Sequence, residues 1–440
     1  MTSPLPPGPR TWHPLGSFPA FRRDVLGFLT RMVETYGNVC SFRVGPMRLC
    51  IVNEPSLIEE ILVRRHEHMI KHWDLRQLRF LLGRGLLTNE GAHWQRQRRI
   101  IQPAFHNQRV DQYAQRMIAR ATALSEQWRP GAVRDLHADM MTLTLGIVAD
   151  TLFGADLSHR VRDVSEPLDR VMHDFEKLLT GWIPLPMGVP TPGNLKTRRS
   201  LARLDRVVHE IIALRRARTG GDDLLGWLLD ARDEDGKAMD DRQLRDEVVT
   251  LILAGHETTA IALSWTFFLL AKHPEVADRL RHDLDAALGA APVTAGVLSA
   301  VPYVRQVVQE ALRLYPPVWA FGREPVIDLE LGGYRIPRGT QLLLLAYVTQ
   351  RDVRFFDDPL AFRPERWAND WRPPKYSYYP FGGGPRYCVG SNFALMEAAL
   401  LLAILARRWR FELVPEHPVE LQATVTLRPR FGIKARLHQV

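Results

Sequence analysis

A glycine-rich stretch of ten residues constrains this chain more than any other feature, because it places one cysteine directly before a helix-forming segment. From Phe381 to Gly390 the sequence reads FGGGPRYCVG, and the segment from Ser391 to Arg408 favours a helix. Glycines let the backbone approach a flat cofactor and turn N–H groups towards the Cys388 sulfur, and the positive end of the following helix favours a thiolate there. The stretch predicts a thiolate ligand for a metal; the alternative is a glycine-rich hairpin around a buried structural cysteine.

The size and composition of the chain predict one large domain spanning residues 1–440. The 440 residues are 46% hydrophobic and 24% charged, which allows a large core around a cofactor. We find no internal repeat or flexible linker, the longest apolar runs contain charged residues, and the proline-rich N-terminal segment lacks the apolar core of a signal peptide or anchor. We therefore expect a soluble, cytoplasmic monomer without a membrane anchor.

The three cysteines do not make a disulfide framework in a chain of this length. Cys40 and Cys50 occur in the alternating segments Val39–Val44 and Met47–Val52, which predict a β-hairpin with each cysteine in the core. Of the three, only Cys388 has a context that would activate it.

A second feature is the long apolar segment from Asp241 to Lys272, which predicts a helix through the interior. Its middle, residues 254–259, reads AGHETT. A carboxylate followed by two threonines is costly on a buried helix unless it serves a function, and Gly255 weakens the helix at the same point. A threonine hydroxyl in this stretch can bond back to a carbonyl one turn earlier and open the helix locally, which would leave room for O₂ and water.

Both features resemble motifs of the cytochrome P450 monooxygenases: the first resembles their haem-ligand loop and the second their oxygen-activation motif. A third family motif, a buried Glu–Arg–Arg network, resembles Glu310, Arg313 and Arg366, although Trp367 stands where phenylalanine is usual. The resemblance covers the chain from Trp94 to the C-terminus.

The resemblance implies the cytochrome P450 fold, which is mainly α with a small β region. We expect an N-terminal β-rich part at about residues 37–55, a helical core that holds the haem, and a C-terminal β-hairpin at about residues 421–435. It also implies haem b as cofactor and O₂ as co-substrate. Cys388 would bind the iron, while Glu257 and Thr258 would deliver protons during the cleavage of O₂.

Four further residues match family contacts of the haem propionates: Trp94, Arg98, Arg323 and Arg386. Trp94 and Arg98 are four residues apart on a predicted helix from His93 to Ile101 and so share one face, where an indole N–H and a guanidinium suit a carboxylate. For this pair alone, the alternative is an ordinary surface arginine packed beside a tryptophan.

Two apolar segments are irregular, and each allows two interpretations. Residues 71–88 form either a mobile wall over a ligand cavity or a loop that covers the core. Residues 181–190 are rich in proline and form either a lid over a hydrophobic substrate opening or a loop packed on the core. Residues 318–321 are expected to line the substrate pocket.

The resemblance predicts a monooxygenase that hydroxylates or epoxidises a hydrophobic small molecule of terpenoid, fatty acyl or polyketide-like character, in secondary metabolism. A peroxide-driven hydroxylase and a non-catalytic haem-thiolate sensor or binding protein are the alternatives, and the Glu257–Thr258 pair argues against both. The chain contains no flavin, nicotinamide or iron–sulfur motif, so electrons would come from a ferredoxin or flavodoxin and its reductase.

The net charge of +9 bears on the choice of partners. The basic residues are scattered and accompany no nucleic-acid-binding motif, so we expect no nucleic acid. Five arginines near the predicted thiolate face are expected to attract an acidic electron carrier; they are Arg96, Arg99, Arg407, Arg408 and Arg410.

Overall fold

Helices dominate the protein, whose computed structural model describes residues 3–154, 161–180, 189–217, 223–369 and 371–440. The α-helices are α1 (Phe18–Arg23), α2 (Val25–Tyr36), α3 (Pro55–Glu59), α4 (Trp73–Gln77), α5 (Arg79–Leu82), α6 (Gly91–Ile101), α7 (Asn107–Gln127), α8 (Leu136–Phe153), α9 (Val161–Thr180), α10 (Pro192–Arg216), α11 (Leu224–Asp230), α12 (Asp241–Lys272), α13 (Pro274–Leu288), α14 (Val297–Ala300), α15 (Pro302–Leu314), α16 (Ala346–Thr349) and α17 (Ser391–Arg408).

The strands are short and form small sheets. They are β1 (Val39–Val44), β2 (Met47–Val52), β3 (Met69–Lys71), β4 (Val133–Asp135), β5 (Phe321–Pro325), β6 (Leu329–Leu331), β7 (Tyr334–Ile336), β8 (Gln341–Leu344), β9 (Trp409–Leu413), β10 (Leu421–Ala423), β11 (Leu427–Pro429) and β12 (Lys434–Gln439). A five-stranded sheet has the order β1-β2-β8-β5-β3, with β2 and β8 parallel, and a three-stranded sheet has the order β4-β12-β9. Two hairpins, β6-β7 and β10-β11, stand apart. This architecture confirms the predicted mainly α fold with a small β region.

Helix α12 lies at the centre of the largest hydrophobic cluster, between α8, α15 and α17. Among the described residues it is the one helix with the length and hydropathy of a membrane span, and 83% of its most apolar window is buried within the protein. Its bounds, Asp241–Lys272, agree with the sequence prediction. It therefore packs as the core helix on which the candidate site is built.

The N-terminal hairpin is confirmed in its register. Val44 pairs with Met47 across the Gly45-Pro46 turn, and Cys40 and Cys50 are both fully buried. Residues 21–36, whose apolar spacing predicts a single helix, belong instead to α1 and α2. Asp24 separates them because its backbone is extended and its carboxylate accepts the Gly27 N–H at 2.9 Å, which caps α2.

The predicted C-terminal hairpin is partly wrong. A hairpin forms from β10 and β11 but ends at Pro429. The chain then turns at Gly432, where φ is 75°, and β12 pairs with β9 and β4 instead. The alternation of apolar residues could not reveal this, because the partners of β12 lie far away in the sequence.

Candidate active site

Glycines at positive φ angles shape the loop that carries Cys388. Gly382 and Gly384 have φ angles of 74° and 65°, a region that favours glycine. A Cβ atom on Gly384 would also clash with the carbonyl oxygen of Leu62. The Cys388 N–H donates to the Phe381 carbonyl oxygen at 3.1 Å. The loop therefore holds the cysteine at a fixed point just before α17.

The side chain of Cys388 is surrounded by protein, yet it is exposed because it faces a cavity of about 600 Å³. The cavity lies between the C-terminal part of α6, the turn that follows it and the start of α17. Its lining residues are Arg98, Gln102, Phe105, His106, Tyr387, Cys388, Val389, Ser391 and Asn392. A sulfur atom that faces such an open cavity is placed to bind a metal held there.

Opposing effects act on the thiol proton of Cys388. Burial raises the pKa of the thiol, whereas the Gly390 N–H and the Arg98 guanidinium lower it, and burial is the larger effect. The loop N–H group acts in the expected direction, but burial outweighs it and raises the pKa of the free thiol. A coordinated metal ion removes the proton from a thiol, so the thiolate would form on metal binding.

Three cations and one carboxylate are buried or half-buried beside this loop. Arg386 pairs with Glu90, with 3.1 Å between Nη1 and Oε1, and the Lys71 N–H donates to the same oxygen at 2.6 Å. Burial lowers the pKa of Lys71 to about 7, and burial together with Arg386 lowers the pKa of Arg323 to about 10. Two arginines and a lysine that is only partly protonated near pH 7 still outweigh the one carboxylate, so the cluster fits a cofactor with anionic groups, as the two propionates of haem are.

Helix α6 turns both of its predicted contact residues towards the Cys388 loop. The ring of Trp94 is buried, and its centroid lies 5.3 Å from the Arg386 guanidinium. Arg98 donates from Nη1 to the Tyr387 carbonyl oxygen at 2.7 Å and from Nε to Gln102 at 3.0 Å. The structure thus brings Trp94, Arg98 and Arg386 to one place, and their contacts to propionates stay a prediction.

The centre of α12 has one open side. The Thr258 hydroxyl donates to the Ala254 carbonyl oxygen at 2.7 Å, which confirms the predicted bond to the preceding turn. Ala254 is exposed and Thr258 half-buried in a helix that is otherwise buried here, so space adjoins this face. The helix continues without a break, so the expected local opening is not present. His256 is buried, with Nδ1 2.8 Å from the Ile252 carbonyl oxygen.

The Glu257 carboxylate contacts the hairpin β10-β11. Its Oε1 accepts a hydrogen bond of 2.7 Å from the Thr426 hydroxyl and lies 3.3 Å from Nη2 of Arg428. Glu257 is 7% exposed, so the ion pair is largely desolvated. Glu257 and Thr258 are consecutive on a helix, and their side chains therefore diverge by about 100°.

The predicted Glu–Arg–Arg network is confirmed. Glu310 and Arg313 are fully buried and form a bidentate pair at 2.8 and 2.9 Å, and Nε of Arg366 lies 2.9 Å from Glu310. Trp367, the departure from the family pattern, donates its indole N–H to the same carboxylate at 2.9 Å. The tryptophan thus adds a donor that phenylalanine would lack.

The structure decides between the two interpretations for only one of the two irregular segments. Carboxylates on α12 hold the loop within residues 71–88: Asp246 accepts the Arg84 N–H at 2.7 Å, and Glu247 accepts the Leu86 N–H at 2.9 Å. These bonds favour the interpretation of a loop that covers the core. Most of the second segment, residues 181–188, lies outside the described residues.

The five arginines expected to attract a partner are largely engaged or distant. Arg96 pairs with Asp233 and Arg407 with Asp285, each at 2.8 Å, and Arg99 pairs with Glu234. Helix α17 has 18 residues and is therefore about 27 Å long, which puts the arginines at its end far from Cys388. The prediction that all five arginines lie near the thiolate face is therefore wrong for the arginines at the end of α17.

Four functional candidates were not found from the sequence: Lys71, Glu90, Thr426 and Arg428. None belongs to a local motif, and Arg428 is 171 residues from Glu257. For Glu90 one local signal was available, since it stands directly before α6, where an acidic residue is favourable.

Comparisons with known proteins show the family and the fold of the chain. Residues 6–435 match the family model described as Cytochrome P450. Cyclooctat-9-en-7-ol 5-monooxygenase from Streptomyces melanosporofaciens is 36% identical over 91% of this chain and 88% of its own. Pentalenene oxygenase from Streptomyces avermitilis is 32% identical over 94% of this chain and 93% of its own. A solved structure of retinoic acid bound cyanobacterial CYP120A1 superposes with a TM-score of 0.90 over the full length of both chains, at 28% identity.

Proposed function

Because this chain belongs to the cytochrome P450 family and is a haem-thiolate monooxygenase that uses haem b and O₂, we propose that its hydrophobic substrate is a terpenoid. The observation that carries this proposal is the pair of relatives at 36% and 32% identity whose names specify terpenoids, cyclooctat-9-en-7-ol and pentalenene. The apolar or half-buried residues of segment 318–321 suit such a molecule. The product would be a hydroxylated or epoxidised terpenoid.

Cys388 binds the haem iron through Sγ, and the buried cations around Glu90 hold the propionates. Support comes from the cavity in front of the sulfur and from the unbalanced positive charge of Lys71, Arg323 and Arg386. Bound haem supplies the redox chemistry of O₂ activation. The protein supplies its orientation, a neutralised setting for its acidic groups and an apolar space for the substrate.

Thr258 and Glu257 deliver protons to the reacting oxygen. The Thr258 hydroxyl, held by the Ala254 carbonyl, orders water on the open side of α12, and Glu257 supplies the proton from within the core. A single proton source next to an ordered hydroxyl is sufficient for this task, because each donated proton can be replaced from solvent.

A substrate panel tests the terpenoid proposal. The probes are pentalenene and retinoic acid as terpenoids, dodecanoic acid as a fatty acyl compound and a macrolide aglycone as a polyketide-like compound. We expect the terpenoids to shift the ferric Soret band to the blue with the lowest dissociation constants and to yield oxygenated products. Tighter binding and turnover of dodecanoic acid or the aglycone would contradict the proposed class.

The chain requires a redox partner. We propose that this partner is an acidic ferredoxin or flavodoxin, and that the protein itself is a cytoplasmic monomer. The net charge of +9 supports electrostatic steering, which weakens as salt screens exposed charges beyond about 8 Å. Arg99 is an exposed neighbour of Arg98, which reaches the Cys388 loop. Arg99→Glu should slow reduction by an acidic ferredoxin at low salt, whereas Arg408→Glu at the far end of α17 should not. Equal effects of both variants would mean that the partner docks elsewhere.

A further inference from the structure

The hairpin β10-β11 is firmly attached to the core beside the centre of α12. Trp265 of α12 donates its indole N–H to the Leu427 carbonyl oxygen at 2.7 Å, and the Leu427 N–H donates to the Pro317 carbonyl oxygen at 2.9 Å. Trp319 donates its indole N–H to the Thr424 carbonyl oxygen at 2.9 Å. The hairpin is therefore a rigid part of the site and bridges α12 to the segment expected to line the substrate pocket.

This rigid hairpin supplies both side chains that contact Glu257. Thr426 is buried and donates to Oε1, and Arg428, whose side chain is 24% exposed, places its guanidinium near the same oxygen. A hydroxyl and a cation that converge on one oxygen fix the rotation of the carboxylate.

The charged groups around Glu257 are few in the part of the chain that the structure describes. Arg428 approaches from the hairpin, and His137 on α8 lies close enough to both residues for their charges to affect its pKa, which burial lowers to about 4. Asp135, at the start of α8, also acts on His137. Because a histidine with this pKa is neutral at pH 7, Arg428 is the cation that faces the Glu257 carboxylate there.

We propose that Arg428 and Thr426 are positioning residues for proton delivery, which hold the Glu257 carboxylate in one orientation against the hairpin. This inference rests on the proposed role of Glu257. The Glu257 carboxylate accepts one proton from solvent, on the side where Arg428 is partly exposed, and passes it towards water at Thr258, which returns Glu257 to its deprotonated starting state. The hairpin that borders the substrate pocket thus also sets the direction from which protons reach the reaction.

Turnover of a double-mutant set tests the proposal, with pentalenene as the probe, a surrogate ferredoxin and its reductase. Arg428→Met should lower product formed per electron pair about three- to tenfold and release the remainder as peroxide, and Arg428→Lys should restore most of the loss. The dissociation constant from Soret titration should not change. In a Glu257→Gln background, Arg428→Met should have no further effect on coupling, because its action passes through Glu257.

Arg430→Met is the matched control, since Arg430 follows the same hairpin but pairs with Glu420 at the surface. It should leave coupling unchanged. A loss of coupling from Arg428→Met that is equally large in the Glu257→Gln background, or a weakened affinity for pentalenene, would overturn the proposal, because Arg428 would then act independently of Glu257.

A melting experiment tests the contact without any turnover and so separates this inference from the substrate class. Arg428→Met should lower the melting temperature of the holoprotein in the wild-type background, where it leaves a buried carboxylate unpaired, and should lower it less when Glu257 is already Gln. Additive losses of melting temperature would overturn the positioning contact even if pentalenene were turned over.

Discussion

The protonation state of the site residue Cys388 depends on the metal that it binds. Burial opposes ionisation of the thiol, and the nearby Gly390 N–H and Arg98 guanidinium offset that effect only in part. The sulfur nevertheless faces an open cavity, where a metal ion would displace the proton. The charge state of the cysteine should therefore follow haem occupancy.

Replacing Cys388 by Ser should remove the spectral mark of thiolate ligation. A thiolate pushes electron density onto the iron, so the ferrous carbonyl complex of the wild-type protein should have a strongly red-shifted Soret band. Cys388→Ser should lose that band, whereas Cys40→Ser, a change at a buried residue of β1, should keep it. An ordinary band position in the wild-type protein at neutral pH would refute the assignment of Cys388.

Replacing Thr258 by Ala should separate electron consumption from product formation. The hydroxyl that is held by the Ala254 carbonyl is lost, water near it is no longer ordered, and reducing equivalents go to peroxide. We expect product per electron pair to fall about tenfold with substrate affinity unchanged, while Thr258→Ser, which keeps the hydroxyl, should retain most of the coupling. Coupling that is unchanged in Thr258→Ala would remove this residue from proton delivery.

At the residue scale, the sequence predicted the site residues that belong to local motifs. It missed the residues that folding brings into contact with those motifs from distant parts of the chain. Cys388 and the Glu257–Thr258 pair stand in patterns that can be read within ten residues. Lys71 and Arg428 acquire a role only through contacts that folding makes across the chain. Burial also reversed the expected direction of the Cys388 pKa, because neighbouring sequence does not reveal how much protein surrounds a side chain.

At the scale of elements, a buried carboxylate joins α15 to the segment after it. Glu310 receives donors from Arg313, Arg366 and Trp367, and Arg313 also donates to the carbonyl oxygens of Gln350, Pro359 and Ala361. A buried ion pair stabilises only when its polar atoms are satisfied. Here the indole N–H helps to satisfy them, so Trp367 is part of the network rather than a neutral replacement for phenylalanine.

Trp367→Phe should lower the free energy of unfolding by about 2 kcal/mol, because a buried hydrogen bond to a charged group is lost. Urea denaturation of the holoprotein measures this change. Trp371→Phe is a suitable control, since Trp371 packs against the Trp367 ring but is 39% exposed, and it should cost clearly less. Equal losses in the two variants would mean that ring packing, and not the indole donor, makes the contribution.

Local pattern predicted most elements, and long-range pairing decided the remainder. The bounds of α12 and of the hairpin β1-β2 follow from apolar periodicity and a Gly-Pro turn. The last strand, β12, has similar alternation but pairs with β9 and β4, and nothing within its own sequence selects those partners.

At the scale of the whole molecule, two buried carboxyl groups make stability depend on pH. Glu247 and Glu397 are fully buried, and burial raises the pKa of each from 4.5 to about 8. Thr259 is close enough to offset this effect slightly at Glu397, but among the described residues neither oxygen of Glu397 has a partner in hydrogen-bond geometry. Both groups favour the protonated form in the folded state.

The free energy of unfolding should therefore contain a Glu397 contribution that is lost as pH rises. Between about pH 4.5 and 8 the folded protein holds a proton that the unfolded chain has released, so stability falls by up to about 1.4 kcal/mol per pH unit. In Glu397→Gln the contribution of Glu397 to this pH dependence should disappear. The lowered pKa of His137 has the opposite effect between about pH 4 and 6.5 but is common to both proteins.

Urea denaturation from pH 5 to 8 compares the two proteins. The difference in unfolding free energy between wild type and Glu397→Gln isolates the one carboxyl group, because every other titrating group is shared. A difference that stays constant across this range would show that Glu397 titrates alike in the folded and unfolded states.

The bonds between α12 and the loop that contains Gly83 and Gly85 have a consequence for recombination with relatives. Asp246 and Glu247 bind N–H groups of this loop, and a Cβ atom at either glycine would clash with Asp246 or with Thr250. A chimeric loop with any other residue at these two positions would place a Cβ atom against Asp246 or Thr250 and move the loop's N–H groups away from their carboxylate acceptors. The two segments should therefore be inherited as one block, with crossover points chosen outside both.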